Sequence, residues 1–472
     1  MKRVVVLGGG ATGMTAAHAL CDQGHEVTVL EREDRPGGLC GTLERRGFRF
    51  DLGGHRFLSR SSELAGLVRS LVGEDLLLRT RSSVVLNGGK RYRYPLELDD
   101  VLRQGGLRRG AAMLASYVSE RLKPSQPEHS FEEWVTKRFG RVLYDSFFGP
   151  YTEKLWGIPP SQISADWAAQ RISLLSLGDV GLRLLGLRRG GARTYARRYL
   201  YPRLGIGQIF ERMAEETALR GGVLQLGARV VSLTQRRGKV VSVGWVDAQG
   251  QAHERGCDAV ISTIPLPLVA RMLAKQGLPR ALEGAATRLR FRGIRLMNIL
   301  LDQPQVSPHT WMYVSEPRYL AARIQEPRQR SPHMAPTGQT SLMLEIPCEV
   351  GGPVWSAPDA ELYARCLEDL RHLGFPDIGT RTLDYFSSYV EEGYPVYHLD
   401  YQRDRQALLG FVGERDDLVS CGRQGAFRYI FMDTAMEMGL AAARRVAGGA
   451  AMTKISELDS ERRLIEVQAI TA

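Results

Sequence analysis

The chain opens on an unbroken apolar run, Val4-Val5-Val6-Leu7, which reads as a short strand covered on both faces rather than as a helix. Gly8, Gly10 and Gly13 follow at once, and TAAHAL then begins a helical repeat. A second strand-like run, EVTVL, leads to Glu31. Residues 61–78 (SSELAGLVRSLVGEDLLL) carry helical periodicity, and SVVLNGGKRYRYPL reads as a hairpin turning at Asn87-Gly88-Gly89. From about 100 to 200 the pattern is mainly helical, broken by KPSQPEHS, which supplies a cap for FEEWVTKRFG. A strand, a turn and a strand are predicted over 221–245, and another strand lies within CDAVISTIPLPLV at 257–269. Between 290 and 400, strand-like runs (IRLMNILLD, TSLMLEI) alternate with Pro/Gly loops and one helix, DAELYARCLEDLRHLG. A strand, a turn and a helix close the pattern near 418–447. No internal repeat is visible.

The first glycines have a physical purpose. Gly8 permits a tight turn, Gly10 lets backbone approach a pyrophosphate, and Gly13 lets helix pack closely on strand. The helix N-terminus then faces phosphate with unpaired N–H groups. Glu31 stands about 20 residues on, where a carboxylate accepts ribose hydroxyls. A nicotinamide domain would continue into another βαβ unit. Here two further glycine pairs, Gly37-Gly38 and Gly53-Gly54, are set in short strand-like pieces instead. On these motifs the chain resembles the FAD family of amine oxidases, protoporphyrinogen oxidases and phytoene desaturases. The resemblance implies non-covalent FAD held by Gly8, Gly10, Gly13, Glu31, Gly37, Gly38 and Gly54. It adds Val230 at the adenine, and Gly422, Arg423 and Met432 in the closing turn. The expected fold class is α/β: a discontinuous Rossmann-type FAD-binding domain (1–65, 203–268 and 415–450) with a mainly helical subdomain (66–202). A mixed or antiparallel substrate-binding sheet (269–414) and a tail (451–472) complete it.

Composition changes this picture little. At 472 residues the chain buries a large core in two or three lobes. No apolar run approaches the roughly 18 residues that span a bilayer. MKRVVVLGG imitates a signal peptide without a cleavage site. Six scattered cysteines suit thiols in a reducing cytoplasm, and nine histidines without HxH or HExxH spacing predict no metal. The net charge of +11 is uneven: seven arginines and no acid lie between Arg183 and Arg203, with a smaller basic segment at 101–123. Such stretches suit an anionic membrane surface, a phosphate-bearing substrate or plain solvation; no nucleic-acid module matches.

Farther along, GPYTEKLWG at 149–157 resembles the YTxKxWG segment of UDP-galactopyranose mutases, FAD enzymes that contract a sugar ring on a nucleotide diphosphate. DLGGHRF before it and AQRIS, FRGIRL, ARIQE, LEIPCE, EGYPVYHLD and GRQGAFRYIFMD after it stand in the mutase order. The resemblance implies His55, Arg292 and Tyr429 as catalytic residues, with Tyr151, Trp156, Arg171, Arg323 and Tyr394 binding substrate. Arginine forks suit a diphosphate, and His55 would hydrogen-bond near the flavin rather than serve as a free base. Phe431 stands where the mutases carry an acid, and IPCEV and AFRYIF are less polar than their counterparts.

Two enzyme classes follow. The first is a mutase-like enzyme acting on a sugar nucleotide or lipid-linked sugar. The second is an oxidase or desaturase of an amine, porphyrin or lipid-like substrate. A non-catalytic FAD scaffold is the third reading. Localisation is expected in the cytoplasm, with the basic stretches leaving peripheral membrane contact open, as they leave the oligomeric state.

Overall fold

The computed structural model describes residues 1–94, 98–124, 126–172, 198–274 and 276–448. The opening run forms β1 (Arg3–Leu7), α1 (Ala11–Asp22) follows the glycine turn, and β2 (Glu26–Leu30) returns parallel to β1 with Thr28 opposite Val5. Both faces of β1 are covered, as its unbroken pattern requires. Val4 and Val6 join a core with Met14, Ala17 and Met436, and Val5 and Leu7 join another. Five parallel strands make this sheet, in the order Leu418–Ser420, Ala259–Ser262, β1, β2, Val223–Gln225. They come from distant stretches of chain. The carboxyl ends of an open parallel sheet are where ligands bind. Gly8, Glu31, Thr263 and Cys421 leave those ends.

A seven-stranded mixed sheet lies beyond, ordered Thr382–Pro395, Phe291–Leu301, Thr340–Cys348, Arg323–Gln325, Trp311–Val314, Ser83–Asn87, Lys90–Arg93. Only Trp311–Val314 and Ser83–Asn87 run parallel within it. Strand side chains alternate between faces. Met297, Met312, Ile324 and Leu344 therefore pack with Leu362, Cys366 and Leu370 of the helix Asp359–His372. The opposite face carries Tyr313, Arg323 and Glu345. The register sets these three in one row, Tyr313 beside Arg323 and Arg323 beside Glu345.

The helix Phe131–Phe139 starts at the expected cap, where Ser130 Oγ accepts from Glu133 N and the Glu133 carboxylate accepts from Ser130 N. Two differences stand out in the segment 66–202. The predicted helix over 61–78 stops at Gly73 (φ 59°), and Leu76–Thr80 pairs antiparallel with Arg198–Pro202. The hairpin 83–93 adds to the seven-stranded sheet rather than to the helical part. All six cysteines are buried thiols. Among the described residues no helix is long and apolar enough to cross a membrane, and no cluster of three metal ligands occurs. Residues 183–197 of the arginine-rich stretch and 451–472 of the tail lie outside the described residues.

Candidate active site

A continuous cleft of about 1250 Å³ runs from the parallel sheet to the seven-stranded sheet. At the first end, Gly8 adopts φ 94°, and the turn brings Gly13 so close that a Cβ there would lie 1.9 Å from Gly8 O. Gly37 N donates to Gly9 O at 2.8 Å, drawing the second glycine pair against the first. Gly8, Gly10, Gly37 and Gly38 thus line the cleft as bare backbone, which suits a pyrophosphate. Glu31 is buried; its Oε2 accepts from Gly9 N at 2.6 Å and its Oε1 from Glu33 N at 2.9 Å. Burial raises its pKa against those two hydrogen bonds. Val230, Arg423 and Met432 complete the wall. Gly13 and Gly422 serve by packing rather than by lining; a Cβ on Gly422 would lie 2.7 Å from Thr12 Oγ1.

At the other end Gly54, His55, Arg323, Tyr394 and Tyr429 line the cleft. Arg323 Nε sits 3.3 Å from Glu345 Oε2, both side chains nearly enclosed. Glu345 also accepts from Gln325 Nε2, and Arg330 donates to the Gln325 side-chain oxygen, so the wall at this end is one polar network. Burial raises Glu345, and the charges of Arg323 and Arg330 oppose this. Tyr394 and Tyr429 stack at 5.8 Å, and the Arg423 guanidinium lies 4.2 Å from the Tyr429 ring centre. Burial pushes the Tyr394 hydroxyl up. His55 Nδ1 and Trp311 Nε1 are buried atoms of cleft-lining residues that find no protein partner. Buried polar atoms of this kind call for a ligand partner. The glycine cradle, Glu31 and these orphaned groups fit an extended dinucleotide, with the end of the cleft opposite the glycine cradle left for its ring system.

Burial, then the charges of Arg423, Arg330 and Arg323, pull the His55 imidazole down to about 3. The unfolded chain, with histidine near 6.5, binds more protons throughout that interval, so folding stability falls as pH drops through it. A His55→Gln protein lacks this slope. Its melting temperature, measured against wild type, should gain on it as the pH is lowered from about 6.5 towards about 3. A constant difference would contradict a neutral His55.

Several expected site residues stand elsewhere. Trp156 is fully buried among Trp167, Tyr394 and Tyr397, so it offers no ring face to the cleft. Tyr151 does not line the cleft but meets Tyr313 edge-on at 6.0 Å, within electrostatic reach of Arg323 and Tyr394. Arg292 pairs with Glu349 at 2.5 Å and packs on Gly157, away from the cleft. A motif match fixes position along the chain, and local packing then sets the side chain: Trp156 is drawn into an aromatic cluster and Arg292 is held by Glu349. Arg171 ends the helix Ala165–Ile172, and its side chain lies outside the described residues.

Other residues were missed. Trp311, Tyr313, Arg56 and Glu345 line the cleft. For Trp311, Tyr313 and Glu345 the period-two alternation of HTWMYV and TSLMLEIPC holds that signal once one member of each strand is assigned inward; for Arg56 no such pattern exists. Arg32 donates to Glu391 at 3.1 Å and to Glu392 at 2.7 Å across the cleft rim; no spacing rule would have joined them.

Comparison with known proteins adds to this geometry. A family model described as flavin containing amine oxidoreductase matches residues 11–447. Protoporphyrinogen oxidase 1, chloroplastic, of Arabidopsis thaliana is 30% identical over 168 residues, 34% of this chain and 31% of that protein. A Klebsiella pneumoniae protein named "Probable UDP-galactopyranose mutase" is 26% identical over 170 residues, 35% of this chain and 43% of that protein. The chain thus spans less than half the length of these curated relatives. A crystal structure of reduced UDP-galactopyranose mutase superposes over 98% of this chain and 99% of its own, with a TM-score of 0.82 and 21% identity, a likeness of fold.

Proposed function

The chain belongs to the flavin-containing amine oxidoreductase family and is an FAD-dependent enzyme; from that premise we propose that it acts on a sugar carried by a phosphate or diphosphate, in the manner of a UDP-galactopyranose mutase. The observation that carries the proposal is the convergence of Arg56, Arg323 and Arg423 with the paired Tyr394 and Tyr429 at the ring end of one cleft. An oxidase of apolar substrates calls for an apolar tunnel there.

Bound FAD supplies a ring able to exchange either a bond to carbon or a hydride with a substrate. The protein's own groups do the rest. Arg323, already paired with Glu345, keeps fork donors for a phosphate oxygen, and Arg423 adds a second charge beside the tyrosines. The Tyr394 and Tyr429 hydroxyls add donors of low rotamer cost. His55, held neutral, contributes a hydrogen bond without a competing charge. Ile294, Val390, Ile430 and Phe431 wall the same end with apolar surface. That apolar share favours the second reading, an oxidase or desaturase.

One titration separates the readings. UDP-galactose and related UDP-sugars, added to the purified protein before and after dithionite, should bind more tightly to the reduced form and perturb the flavin band. An unchanged spectrum and melting point with every UDP-sugar, together with bleaching of the oxidised flavin by an amine or lipid-like donor, would establish the oxidase.

A further inference from the structure

The helix Leu98–Leu122 breaks its regular geometry at Gly106, and the segment 107–122 runs on for roughly 24 Å at helical rise. Its inner face is fixed by contacts. Met113 is buried, Arg109 donates to Ser146 Oγ at 3.1 Å, and Ser116 Oγ accepts from Val142 N at 3.2 Å. A Cβ on Gly140 would lie 2.7 Å from Tyr117 N, so the helix is pressed close to that loop. At 100° per residue these contacts leave Ala111, Leu114, Ala115, Val118 and Leu122 on the outside. Leu114 is 64% exposed, Val118 46% and Leu122 80%. An exposed stripe at i, i+4, i+8 is the reverse of what a solvated helix shows.

Charge says what fits it. Arg108 and Arg121 border the apolar stripe, both exposed, and Lys123 follows. Arg121 donates to the Tyr117 hydroxyl at 3.2 Å rather than to a carboxylate, and Arg108 has no ion pair among the described residues. The sole acid between 101 and 123 is Glu120, turned inward and bonded by Lys123 at 2.6 Å. An aliphatic stripe edged by unneutralised arginines has the chemistry of an interfacial helix. A second copy of this face would bring arginine against arginine in a chain of net charge +11. Protein partners prefer aromatic anchors, and the stripe has none.

We propose that the outer face of residues 107–122 docks on an anionic lipid bilayer, Leu114, Val118 and Leu122 entering the headgroup boundary while Arg108 and Arg121 meet lipid phosphate. The enzyme thereby works at a membrane surface, whichever substrate its cleft takes.

The test uses the full-length holoprotein sedimented with phosphatidylcholine vesicles, with and without phosphatidylglycerol. Wild type should pellet with the anionic vesicles alone and be released by added salt. L114Q/V118Q/L122Q should weaken partitioning by at least about tenfold. R108Q/R121Q should weaken it by roughly fivefold for each arginine. Unchanged flavin content and melting temperature would certify that both variants are folded, since neither touches the cleft. The proposal falls if wild type stays in solution with both vesicles, or if both variants pellet as wild type does. It falls equally if the face holds a second copy, seen as a wild-type dimer that L114Q/V118Q/L122Q converts to monomer.

Discussion

A Gly13→Ala protein is expected to purify with little or no FAD and to unfold at lower temperature than wild type. The single added methyl would lie 1.9 Å from Gly8 O, a backbone atom that cannot swing aside. Relief by moving α1 is blocked from behind. There the helix Met432–Val446 packs so closely that a Cβ on Gly439 would lie 2.4 Å from Thr12 O. The clash must therefore be taken up by the β1–α1 turn, whose bare backbone lines the pyrophosphate end of the cleft. Overpacking of this kind costs on the order of 2 kcal/mol in the folded protein. The loss in cofactor affinity is larger, because a shifted turn both fills the cradle and misaims the N–H groups of α1. Absorbance of the flavin per protein chain, before and after dialysis against excess FAD, measures it directly. Full flavin occupancy in Gly13→Ala would mean that the turn has slack the close contacts deny.

The dinucleotide half of the cleft was legible because it is local. One strand, one turn and one helix over 3–22, with an acid at the end of the next strand, dictate their geometry through residues adjacent in sequence. The ring end is different in kind. Tyr313, Arg323 and Glu345 stand in a row only because three strands pair in a register that no short window of sequence encodes. Arg323 carries a motif resemblance, whereas its partner Glu345, within LEIPCE, is set opposite it by strand register alone. Resemblance also overreached. Trp156 and Arg292 match a motif, yet the π-stacked lobe around Tyr397 and the pair with Glu349 take their side chains out of the cleft. The exposed stripe of the helix 107–122 was invisible to composition, which registered only that the segment was basic.

The row also sets the second large effect, in which loss of binding and loss of stability come apart. Arg323→Met leaves the Glu345 carboxylate enclosed without its nearest cation, with Arg330 left as the opposing charge and bonded to the Gln325 side chain rather than to Glu345 itself. Removing one partner of a buried pair costs about 3–5 kcal/mol, so Arg323→Met should unfold at markedly lower denaturant concentration than wild type. Adding Glu345→Gln removes the stranded charge. A buried pair replaced by neutral groups of similar volume is close to neutral in stability, so Arg323→Met/Glu345→Gln should recover most of the loss. Binding should not recover with it. If Arg323 holds the phosphate of the substrate, both variants lose that bidentate contact, and affinity of the reduced protein for a UDP-sugar should fall on the order of a hundredfold in each. Urea unfolding and flavin-monitored titration on the same three proteins read the two quantities separately. Recovery of UDP-sugar binding in the double variant would show that Arg323 acts only by neutralising Glu345, and the anion-binding role of the ring end would pass to Arg56 and Arg423.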